Sequence, residues 1–364
     1  MTANPPVDET VEPELPGADV VCLGESMVTF LPGRPGRLAD VPSFTRAIGG
    51  AESNVACALA AAGHRAAWVG RVGRDGFGDH LVETLTAHGV DVTAVRRDPH
   101  RPTGVYFRTA GDRAEEGHEV VYYRAGSAAS AMSPANVPYR FTDRGRVLHL
   151  SGITAALSAD CLALVRALTA PRAGRPFVSF DVNHRPGLWR DGSAPAVLLD
   201  LARGADLVLV GADEAETLWG LGDPAALRAA LPEPSVLVVK RGSRDAVAYA
   251  REEHPGSLPP ADRDPRPDTV VTVPAPRVDV VAHVGAGDAF AAGFLSAGLR
   301  GLGLTARLRH GHLMAAAALT VPGDLAVPPR RARADRLAAL DDTAWGTLHL
   351  GPGWTGEDQE VRTP

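Results

Sequence analysis

The chain has 364 residues, of which 45% are hydrophobic and 22% are charged, so it can bury its own core and is not wholly disordered. No apolar run approaches the roughly 18 residues that span a bilayer. The net charge of -6 provides no basic surface for nucleic acid or an anionic membrane. Neither a membrane nor a nucleic acid is expected as a partner, and the length fits one large α/β domain or two ordinary ones.

The N-terminal segment and the cysteines both indicate a cytoplasmic protein. The first 19 residues hold five acidic side chains and no basic one, the reverse of a secretory signal peptide. We expect residues 1–18 to form a disordered acidic tail. Cys22, Cys57 and Cys161 lie far apart without metal-binding or redox spacing, which is typical of buried free thiols in a reducing compartment.

The first part of the folded region alternates between strand and helix signals. An apolar run at 20–23 predicts a buried strand. The alanine-rich stretch after Gly50 has helical spacing and ends at Gly63, and a second strand is predicted at 66–69. Asp75 is placed to cap a second helix. This succession predicts an α/β fold with a mainly parallel sheet.

Two β-rich segments at 103–108 and 119–124, joined by a polar stretch, predict a hairpin. Downstream, apolar runs separated by helical stretches predict buried parallel strands with crossover helices. The predicted strands lie at 147–150, 177–180, 207–210 and 236–239, and the predicted helices lie at 158–168, 213–221, 289–299, 304–319 and 332–340.

The domain boundaries are predicted from composition. We expect one folded domain from residue 19 to residue 345. The proline-rich, charged stretch at 251–276 predicts a surface insertion within it. Residues 346–364 are expected to form a C-terminal tail.

The sharpest local motif is Gly285-Ala286-Gly287-Asp288, at the start of a predicted helix. Small residues at 285–287 let backbone amides approach an anion, and the helix adds the positive end of its dipole. Asp288 then lies where a carboxylate can take a proton from a hydroxyl while the amides hold a transferring phosphoryl group. The alternative is a helix-capping aspartate after a glycine turn, and the motif alone does not decide between them.

Two separated signatures resemble those of the PfkB, or ribokinase-like, carbohydrate kinases. They read GGAESNVACALAAAGHRAAWVGRVGRDGFG from residue 49 and GAGDAFAAGFLSAG from residue 285, and the resemblance spans about residues 20 to 340. It implies a three-layer α/β/α sandwich with a mainly parallel central sheet and a small β-strand lid from about 31–48 and 102–124. No P-loop motif occurs, and the glycine stretch lacks the context of a dinucleotide site, so an NAD enzyme is disfavoured.

Within that family, the chain most resembles 2-keto-3-deoxygluconate kinases. The matching segments are GESMVTFLP at 24–32, GGAESN at 49–54, PTGVYF at 102–107, YYRAGSAAS at 122–130 and FDVNHRPGLW at 180–189. The resemblance implies phosphorylation of a terminal hydroxyl by ATP, with Mg²⁺ on the phosphates and Asp288 as the general base. The alternatives are a fructokinase or other neutral-sugar kinase, and a degenerate kinase that binds sugar as a regulatory protein.

The predicted hairpin carries phenols and arginines at alternate positions. Tyr106 with Arg108, and Tyr122 with Arg124, can project from one face of paired strands. Such a face offers phenols for hydroxyls and guanidinium for a carboxylate, which a 2-keto acid carries and a neutral sugar does not. The alternative is a solvated face whose arginines reflect codon bias. By resemblance, the hairpin covers the sugar, and the residues beneath it are Gly49, Gly50 and Asn54.

Polar residues also follow two predicted strands. Asp181, Asn183 and Arg185 alternate at the edge where open α/β sheets bind ligands. The resemblance implies that Arg185 grips the sugar acid or the phosphoryl group and that Asn183 lies near the ATP phosphates; alternatively, the three cap the strand and its turn. Relatives carry an Asn-x-x-Glu motif for magnesium-bound water. Here Gly211 replaces the asparagine and Glu214 remains, which weakens a water-mediated metal role.

Three groups of residues are predicted to contact the nucleotide. The amides of 285–287 face the phosphates. Lys240, Gly242 and Arg244 resemble the nucleotide-side loop, where Lys240 can meet a phosphate; a strand-end lysine that reaches solvent is the alternative. His312 stands where relatives often have an asparagine near the adenine, and a packed structural histidine is the alternative.

One departure from the family pattern concerns potassium. Relatives carry Asp-Thr before the GAGD motif, where the aspartate helps to hold a monovalent cation, and this chain has Ala282-His283. The replacement counts against potassium activation but leaves Asp288 and the amides in place, so an active kinase is expected. Relatives often dimerise through their lids, and the hairpin edges predict a homodimer here.

Overall fold

The computed structural model describes residues 15–34, 36–109, 119–251 and 267–356. Its strands are β1 (Ala18–Leu23), β2 (Met27–Pro32), β3 (Phe44–Gly49), β4 (Ala66–Val69), β5 (Arg71–Gly73), β6 (Arg96–Asp98), β7 (Val105–Arg108), β8 (Val120–Tyr123), β9 (Gly145–Ser151), β10 (Phe177–Asp181), β11 (Leu207–Gly211), β12 (Val236–Lys240), β13 (Asp245–Ala250), β14 (Thr269–Pro274), β15 (Arg277–Val278) and β16 (His349–Leu350).

Helices connect most of these strands. They are α1 (Ala51–Ala61), α2 (Gly76–Ala87), α3 (Gly152–Ala155), α4 (Ala159–Thr169), α5 (Ala194–Gly204), α6 (Ala212–Trp219), α7 (Pro224–Ala230), α8 (Ala286–Leu299), α9 (Leu304–Leu319), α10 (Arg331–Ala338) and α11 (Asp342–Gly346). Short 3-10 helices lie at Leu38–Asp40, Ala129–Ala131, Tyr139–Phe141 and Pro186–Leu188. Asp75 caps α2 as predicted, because its carboxylate accepts from the Gly78 amide.

The central sheet has eight strands in the order β14-β13-β12-β11-β10-β9-β1-β4. Neighbours from β12 to β4 pair in parallel, and β13 and β14 add two antiparallel strands at one edge. The four predicted strands between residues 147 and 239 fall within β9 to β12. Their near-continuous apolar character reflects helices on both faces, and the predicted mainly parallel sheet is confirmed.

The two faces of this sheet belong to two separate cores. In β1, Val20 and Cys22 pack in a core shared with α1, α2, α8 and α9. Val21 and Leu23 point to the other face and pack in a core shared with α4, α5, α6 and α7. The predicted three-layer α/β/α sandwich is therefore confirmed.

A second sheet, which we call the lid, has four strands in the order β3-β2-β7-β8. β7 and β8 form the predicted hairpin, with Tyr106 opposite Tyr122. Phe30 on β2 stacks on Phe107 on β7, with 4.6 Å between the ring centroids. The lid begins before the predicted residue 31, because β2 pairs with β3 along its whole length.

Two predicted boundaries in the first three quarters of the chain are wrong. β1 begins at Ala18, inside the predicted tail, and residues 1–14 lie outside the described residues. β14 lies inside the predicted insertion at 251–276 and forms the last strand of the central sheet. Val273 explains the second difference, because it is buried in the core despite its polar and proline-rich neighbours.

The predicted C-terminal tail, 346–364, is also wrong in its first part. β16 pairs in parallel with β15. Leu348, Leu350 and Trp354 are buried in the core that contains α9. The domain therefore continues past residue 345 to at least Trp354. Leu348 and Leu350 alternate as strand residues do, but two positions are too few to predict a strand.

The carboxyl ends of the parallel strands lie on one edge of the sandwich, where polar residues follow β10 and β12. Ligands bind at this edge in open α/β sheets. Among the described residues, none of the helices combines the length and the apolar character needed to cross a bilayer.

Candidate active site

The start of α8 has the geometry of an anion-binding loop. Gly285 occupies the N-cap with φ 76°, a left-handed conformation that favours glycine. A Cβ atom at this position would lie 2.6 Å from the carbonyl oxygen of Asp324. Asp288 is the third residue of α8, and no described side chain caps the helix. The alternative of a helix-capping aspartate is therefore wrong.

The amides of the first turn of α8 are directed out of the helix end. The first hydrogen bond of this helix runs from the Ala289 amide to the Gly285 carbonyl oxygen, at 2.9 Å. The amides of 285–288 precede that bond and have no acceptor within the helix. Gly287 is exposed. Together with the positive end of the helix dipole, these amides have the geometry to bind an anion, and their role in holding a phosphoryl group stays a prediction.

Asp288 lies beside these amides and contacts α1. The side-chain amide of Asn54 donates to Asp288 Oδ2 at 2.9 Å. Burial raises the pKa of Asp288 to about 7, and the charge of Asp181 adds to the rise. The Asn54 hydrogen bond and the cations Arg185 and Lys240 oppose it. A carboxylate with a pKa near neutrality is well suited to act as a general base.

Lys240 ends β12 close to the same helix. Its Nζ donates to Asp181 Oδ2 at 2.9 Å and lies 3.6 Å from where a Cβ atom of Gly287 would be. The side chain is 17% exposed, so the alternative of a lysine that reaches solvent is wrong. Burial opposes its charge, but the carboxylates of Asp181 and Glu214 outweigh burial and raise the pKa of Lys240. Lys240 is therefore a cation beside the amides.

β10 brings the other predicted polar residues to this edge. Asn183 is buried and has φ 39°, the one positive φ among the described non-glycine residues. Arg185 is partly exposed, donates to the His184 carbonyl oxygen at 3.2 Å and forms no ion pair with a described carboxylate. The positive charge of Arg185 lowers the pKa of Asp288, so Arg185 lies on the Asp288 side of the site.

Glu214 joins two backbone segments. Its Oε1 accepts from the His184 amide at 3.0 Å, and its Oε2 accepts from the Gly211 amide at 2.9 Å. These bonds tie the loop after β10 to the start of α6. Each oxygen keeps a further lone pair, so the water-mediated metal role stays a prediction.

The protein side chains at the site do not form a complete Mg²⁺ site by themselves among the described residues. Within the described ranges, no group of three or more His, Cys, Asp or Glu side chains is placed to hold a metal ion. Mg²⁺ in phosphoryl-transfer sites binds one or two carboxylates plus the substrate phosphates. Asp181 fits this pattern, because its Oδ2 accepts from Lys240 and its Oδ1 is buried without a hydrogen-bond partner.

The lid brings together the four predicted residues of the hairpin. The rings of Tyr106 and Tyr122 lie with their centroids 5.4 Å apart, and the Arg124 guanidinium lies 5.6 Å from the Tyr122 ring. Arg108 shares the buried face of β7 with Tyr106. The side chains of Arg108 and Arg124 are 6% and 10% exposed, so the alternative of a solvated face is wrong for the arginines, whereas Tyr122 is 43% exposed.

Each lid arginine has a carboxylate partner that the sequence analysis did not identify. Arg108 Nη2 lies 3.4 Å from Asp324 Oδ1, and Arg124 forms an ion pair with Glu25. Glu25 stands in the segment that resembles a family motif, which is the signal that could have identified it. Asp324 follows α9 in a segment without any such motif.

The glycine pair lies beneath the hairpin of β7 and β8, as the resemblance implies. Gly49 ends β3 and Gly50 is the N-cap of α1. A Cβ atom on Gly49 would lie 2.4 Å from the Tyr106 hydroxyl and 2.4 Å from Asp324 Oδ2. No side chain larger than hydrogen fits at this position, so the backbone approaches the lid closely.

His312 does not reach the site. Its Nε2 lies 3.1 Å from the Val273 carbonyl oxygen, and its ring packs edge to face on Phe290. Burial lowers the pKa of His312 to about 4, so the ring is neutral. The prediction of a cofactor contact is corrected to a packed structural histidine. Gly242, with φ 62°, and the exposed Arg244 form the turn between β12 and β13, and their nucleotide roles stay predictions.

Proteins of known sequence and structure resemble this chain over most of its length. The 2-dehydro-3-deoxygluconokinase of Bacillus subtilis is 34% identical over 328 residues, which cover 88% of this chain and 96% of that protein. Fructokinase-1 of Oryza sativa subsp. japonica is 32% identical over 281 residues, which cover 76% of this chain and 81% of that protein. The crystal structure of a PfkB protein from Polaromonas sp. JS666 superimposes with a TM-score of 0.74 at 32% identity, covering 87% of this chain and 99% of that one.

The family profile of pfkB carbohydrate kinases matches residues 18–330. This match includes the glycine pair beneath the lid and the amide cluster at 285–288. The resemblance noted in the sequence is thereby confirmed, and so is an ATP-dependent sugar kinase as the kind of enzyme. The chain belongs to the pfkB family of carbohydrate kinases.

Proposed function

We propose that this kinase transfers the γ-phosphoryl group of ATP to the terminal hydroxyl of 2-keto-3-deoxygluconate and forms the 6-phosphate. The observation that carries the proposal is a pair of buried, unused guanidinium donors under the lid. The Nε atoms of Arg108 and Arg124 are buried, and neither has a hydrogen-bond partner among the described residues. Such donors call for an anionic acceptor, and a sugar acid carries a carboxylate where a neutral sugar does not.

The carboxylate of the substrate and the phosphoryl group that arrives from ATP are then held by different arginines. The charge of Arg185 lowers the pKa of Asp288, so Arg185 lies near the base, on the side where the phosphoryl group arrives. The lid arginines lie at the other end, where Arg124 stacks on Tyr122. A guanidinium has five N–H donors, so Arg124 can keep its ion pair with Glu25 and still bind the substrate carboxylate.

The reaction begins at Asp288. Above its pKa of about 7, the ionised carboxylate accepts the proton of the terminal hydroxyl, whose oxygen then attacks the γ-phosphorus. Asn54 orients the carboxylate through its hydrogen bond to Oδ2. The bond between the γ-phosphorus and the bridging oxygen breaks, and ADP leaves.

The amides of 285–288 hold the charge of the transferring group, and Lys240 adds a cation beside them. Mg²⁺, when bound with ATP, neutralises the phosphate oxygens, and Asp181 with Glu214 behind it would hold it. The lid covers the sugar and keeps out water that would otherwise hydrolyse ATP.

The test is a substrate panel with the purified protein. ADP release is measured with 2-keto-3-deoxygluconate, fructose and ribose, each in potassium buffer and in sodium buffer. We expect the highest kcat/KM with the keto acid. We expect no activation by potassium, because Ala282 stands where relatives carry the cation-binding aspartate. A preference for a neutral sugar would contradict the carboxylate-binding role of the lid.

A fructokinase is the second candidate, and one observation favours it. Glu25 and Asp324 already balance the charges of Arg124 and Arg108, so a neutral sugar would leave no uncompensated cation under the lid. Fructokinases are also among the relatives. The panel separates the two, and binding of sugar without ATP turnover would indicate a degenerate regulatory protein instead.

A further inference from the structure

Four described segments of the chain join the lid to the sandwich. The first is 24–26, which leads from β1 to β2, and the second is Gly50, which leads from β3 to α1. The third is 99–104, which leads from β6 to β7, and the fourth is 124–128, which follows β8. We call these segments the lid connections and number them in chain order. The orientation of the lid over the sandwich depends on how they are held.

Glu25 contacts all four lid connections. It lies in the first, and its carbonyl oxygen would be 2.3 Å from a Cβ atom on Gly50 in the second. Its Oε1 would be 3.0 Å from a Cβ atom on Gly104 in the third. In the fourth, the Ser127 hydroxyl donates to Oε1 at 2.6 Å, and the Arg124 guanidinium forms an ion pair with Oε2. One residue therefore joins the points where the lid leaves the sandwich.

Backbone hydrogen bonds hold the third connection against its neighbours. The Ala128 amide donates to the Pro102 carbonyl oxygen at 2.8 Å, which joins the fourth connection to the third. The Val28 amide donates to the Gly104 carbonyl oxygen at 3.1 Å, which joins the start of β2 to the third. The Glu25 side chain adds a direct link between the first connection and the fourth, across 102 residues of sequence.

This link consists of buried charges. The Glu25 side chain is 1% exposed, and that of Arg124 is 10% exposed. Glu52 is also buried close to Arg124, but its Oε1 accepts from two hydroxyls instead, those of Ser151 and Thr154, at 2.7 Å each. A charge that is removed from water is stable only when it is paired and hydrogen-bonded. Separation of the first and fourth connections is therefore unfavourable, because it would leave both charges without their partners.

We propose that Glu25 is a positioning residue that holds the lid connections together and thereby keeps the lid, with Arg124, over the sugar. The proposal rests on the kinase function proposed above. With the contact intact, the lid excludes water while the γ-phosphoryl group moves to the sugar hydroxyl. Without the contact, the lid opens more often, and water can replace the sugar hydroxyl as the group that attacks the γ-phosphorus. ADP and inorganic phosphate then form in place of ADP and the sugar phosphate.

Amide hydrogen exchange of the full chain tests the contact without any substrate. We expect Glu25→Gln to speed exchange in β2, β7 and β8 by about tenfold or more, because the charge of a hydrogen-bonded ion pair is lost. Exchange in β10 and β11 should change by less than about twofold. Asp206→Asn is the matched control. It alters a carboxylate that pairs with Arg175 at 2.6 Å and 2.9 Å, at the amino ends of β10 and β11, and it should leave exchange in the lid unchanged.

Product analysis tests the consequence for catalysis. ADP and inorganic phosphate are measured separately, with whichever sugar the panel identifies as the substrate. We expect Glu25→Gln to raise the sugar KM by about tenfold and the phosphate formed per ADP by at least about threefold, with the KM for ATP within about twofold. Asp206→Asn should keep the product ratio of the wild type, because a loss of stability alone does not open the lid.

Two results would overturn the proposal: either readout unchanged in the folded Glu25→Gln protein, or an Asp206→Asn protein that behaves in the same way as Glu25→Gln. If Glu25→Gln does not fold, Ser127→Ala decides the question, because it removes one bond to the same carboxylate. It should speed exchange in the lid by about threefold, and an unchanged lid would overturn the proposal as well. The exchange measurement uses no sugar, so a failed substrate assignment leaves it intact.

Discussion

Asp288 shows how burial brings the pKa of an ordinary carboxyl group close to neutral pH. Its pKa is raised to about 7 mainly because the site removes it from water. Asn54 holds the same carboxylate and so fixes its direction. The direction of the Asp288 carboxylate is therefore fixed by Asn54, whereas its pKa is set mainly by burial.

Replacing Asp288 by asparagine tests its role directly. The shape and the Asn54 contact region are kept, but no proton acceptor remains. We expect kcat to fall by about 10²–10⁴-fold, the usual contribution of a general base. Thermal unfolding serves as the control and should show a folded protein with an unchanged or higher midpoint. Near-normal turnover would remove Asp288 from this role.

The pH dependence of the wild type follows from the same residue. Because the pKa of Asp288 is raised, the active, ionised form dominates only above about pH 7. We expect kcat/KM to rise about tenfold per pH unit well below this value and to level off above it. Initial rates from pH 5 to pH 9 at saturating ATP provide the measurement. A profile that is flat between pH 5 and pH 8 would contradict the assignment.

Single elements show how backbone geometry creates the site. The start of α8 offers its amides because Gly285 turns the chain in a left-handed conformation and packs against Asp324. The carboxyl end of β12 adds a cation, and that of β10 adds a carboxylate that pairs with it.

A methyl group at Gly285 should disrupt this element. Gly285→Ala adds strain at φ 76° and places Cβ 2.6 Å from a carbonyl oxygen. We expect a loss of at least about 2 kcal/mol in the free energy of unfolding, and a loss of turnover larger than the change in sugar binding. Gly76→Ala, at a helical glycine with no atom within 4 Å of its Cβ position, is the control and should be neutral. Equal behaviour of the two variants in chemical denaturation would refute the argument.

The C-terminal strand is a second element whose loss can be measured. Ending the chain after residue 346 removes Leu348, Leu350 and Trp354 from the core. Full burial of each such side chain contributes about 1.5–3 kcal/mol, so the shortened protein should unfold at a much lower temperature or fail to fold. Ending the chain after residue 356 is the control, because it keeps all three side chains, and its midpoint should lie well above that of the shorter protein. Similar midpoints for the two truncations would show that β16 contributes little.

At the scale of the whole molecule, the lid presents an exposed edge strand with apolar side chains. β8 is an edge strand of the lid, and Val121 and Tyr123 on it are exposed by 39% and 65%. An exposed, apolar edge strand pairs readily with another edge. We therefore expect a homodimer in which the lids of two copies meet.

Sedimentation equilibrium tests this assembly. The wild type should have twice the mass of the chain at micromolar concentration, and Tyr123→Glu should shift it to the monomer, because a charge at the edge opposes pairing. Val270→Glu changes a residue that is 53% exposed on β14, outside the lid, and should remain dimeric. A monomeric wild type would contradict the prediction.

Much of the fold was predictable because it depends on local patterns. Apolar runs gave β9 to β12 to within a few residues, and Asp75 marked the start of α2. The short C-terminal strand was missed because its two alternating leucines are too short a pattern, and β14 was missed because its neighbours are polar. The side chains of these segments are buried because distant elements pack against them.

The amino-acid sequence by itself was enough to predict the family, the amide cluster at the start of α8 and Asp288 as the candidate base. Each of these depends on residues that are close together in the chain. Only the tertiary structure decided the pKa of Asp288 and the partners of the lid arginines. Asn54 and Asp288 are 234 residues apart, and Tyr106 and Asp324 are 218 residues apart. Hydrogen bonds and burial act through space, so contacts of this kind exist only once the chain has folded.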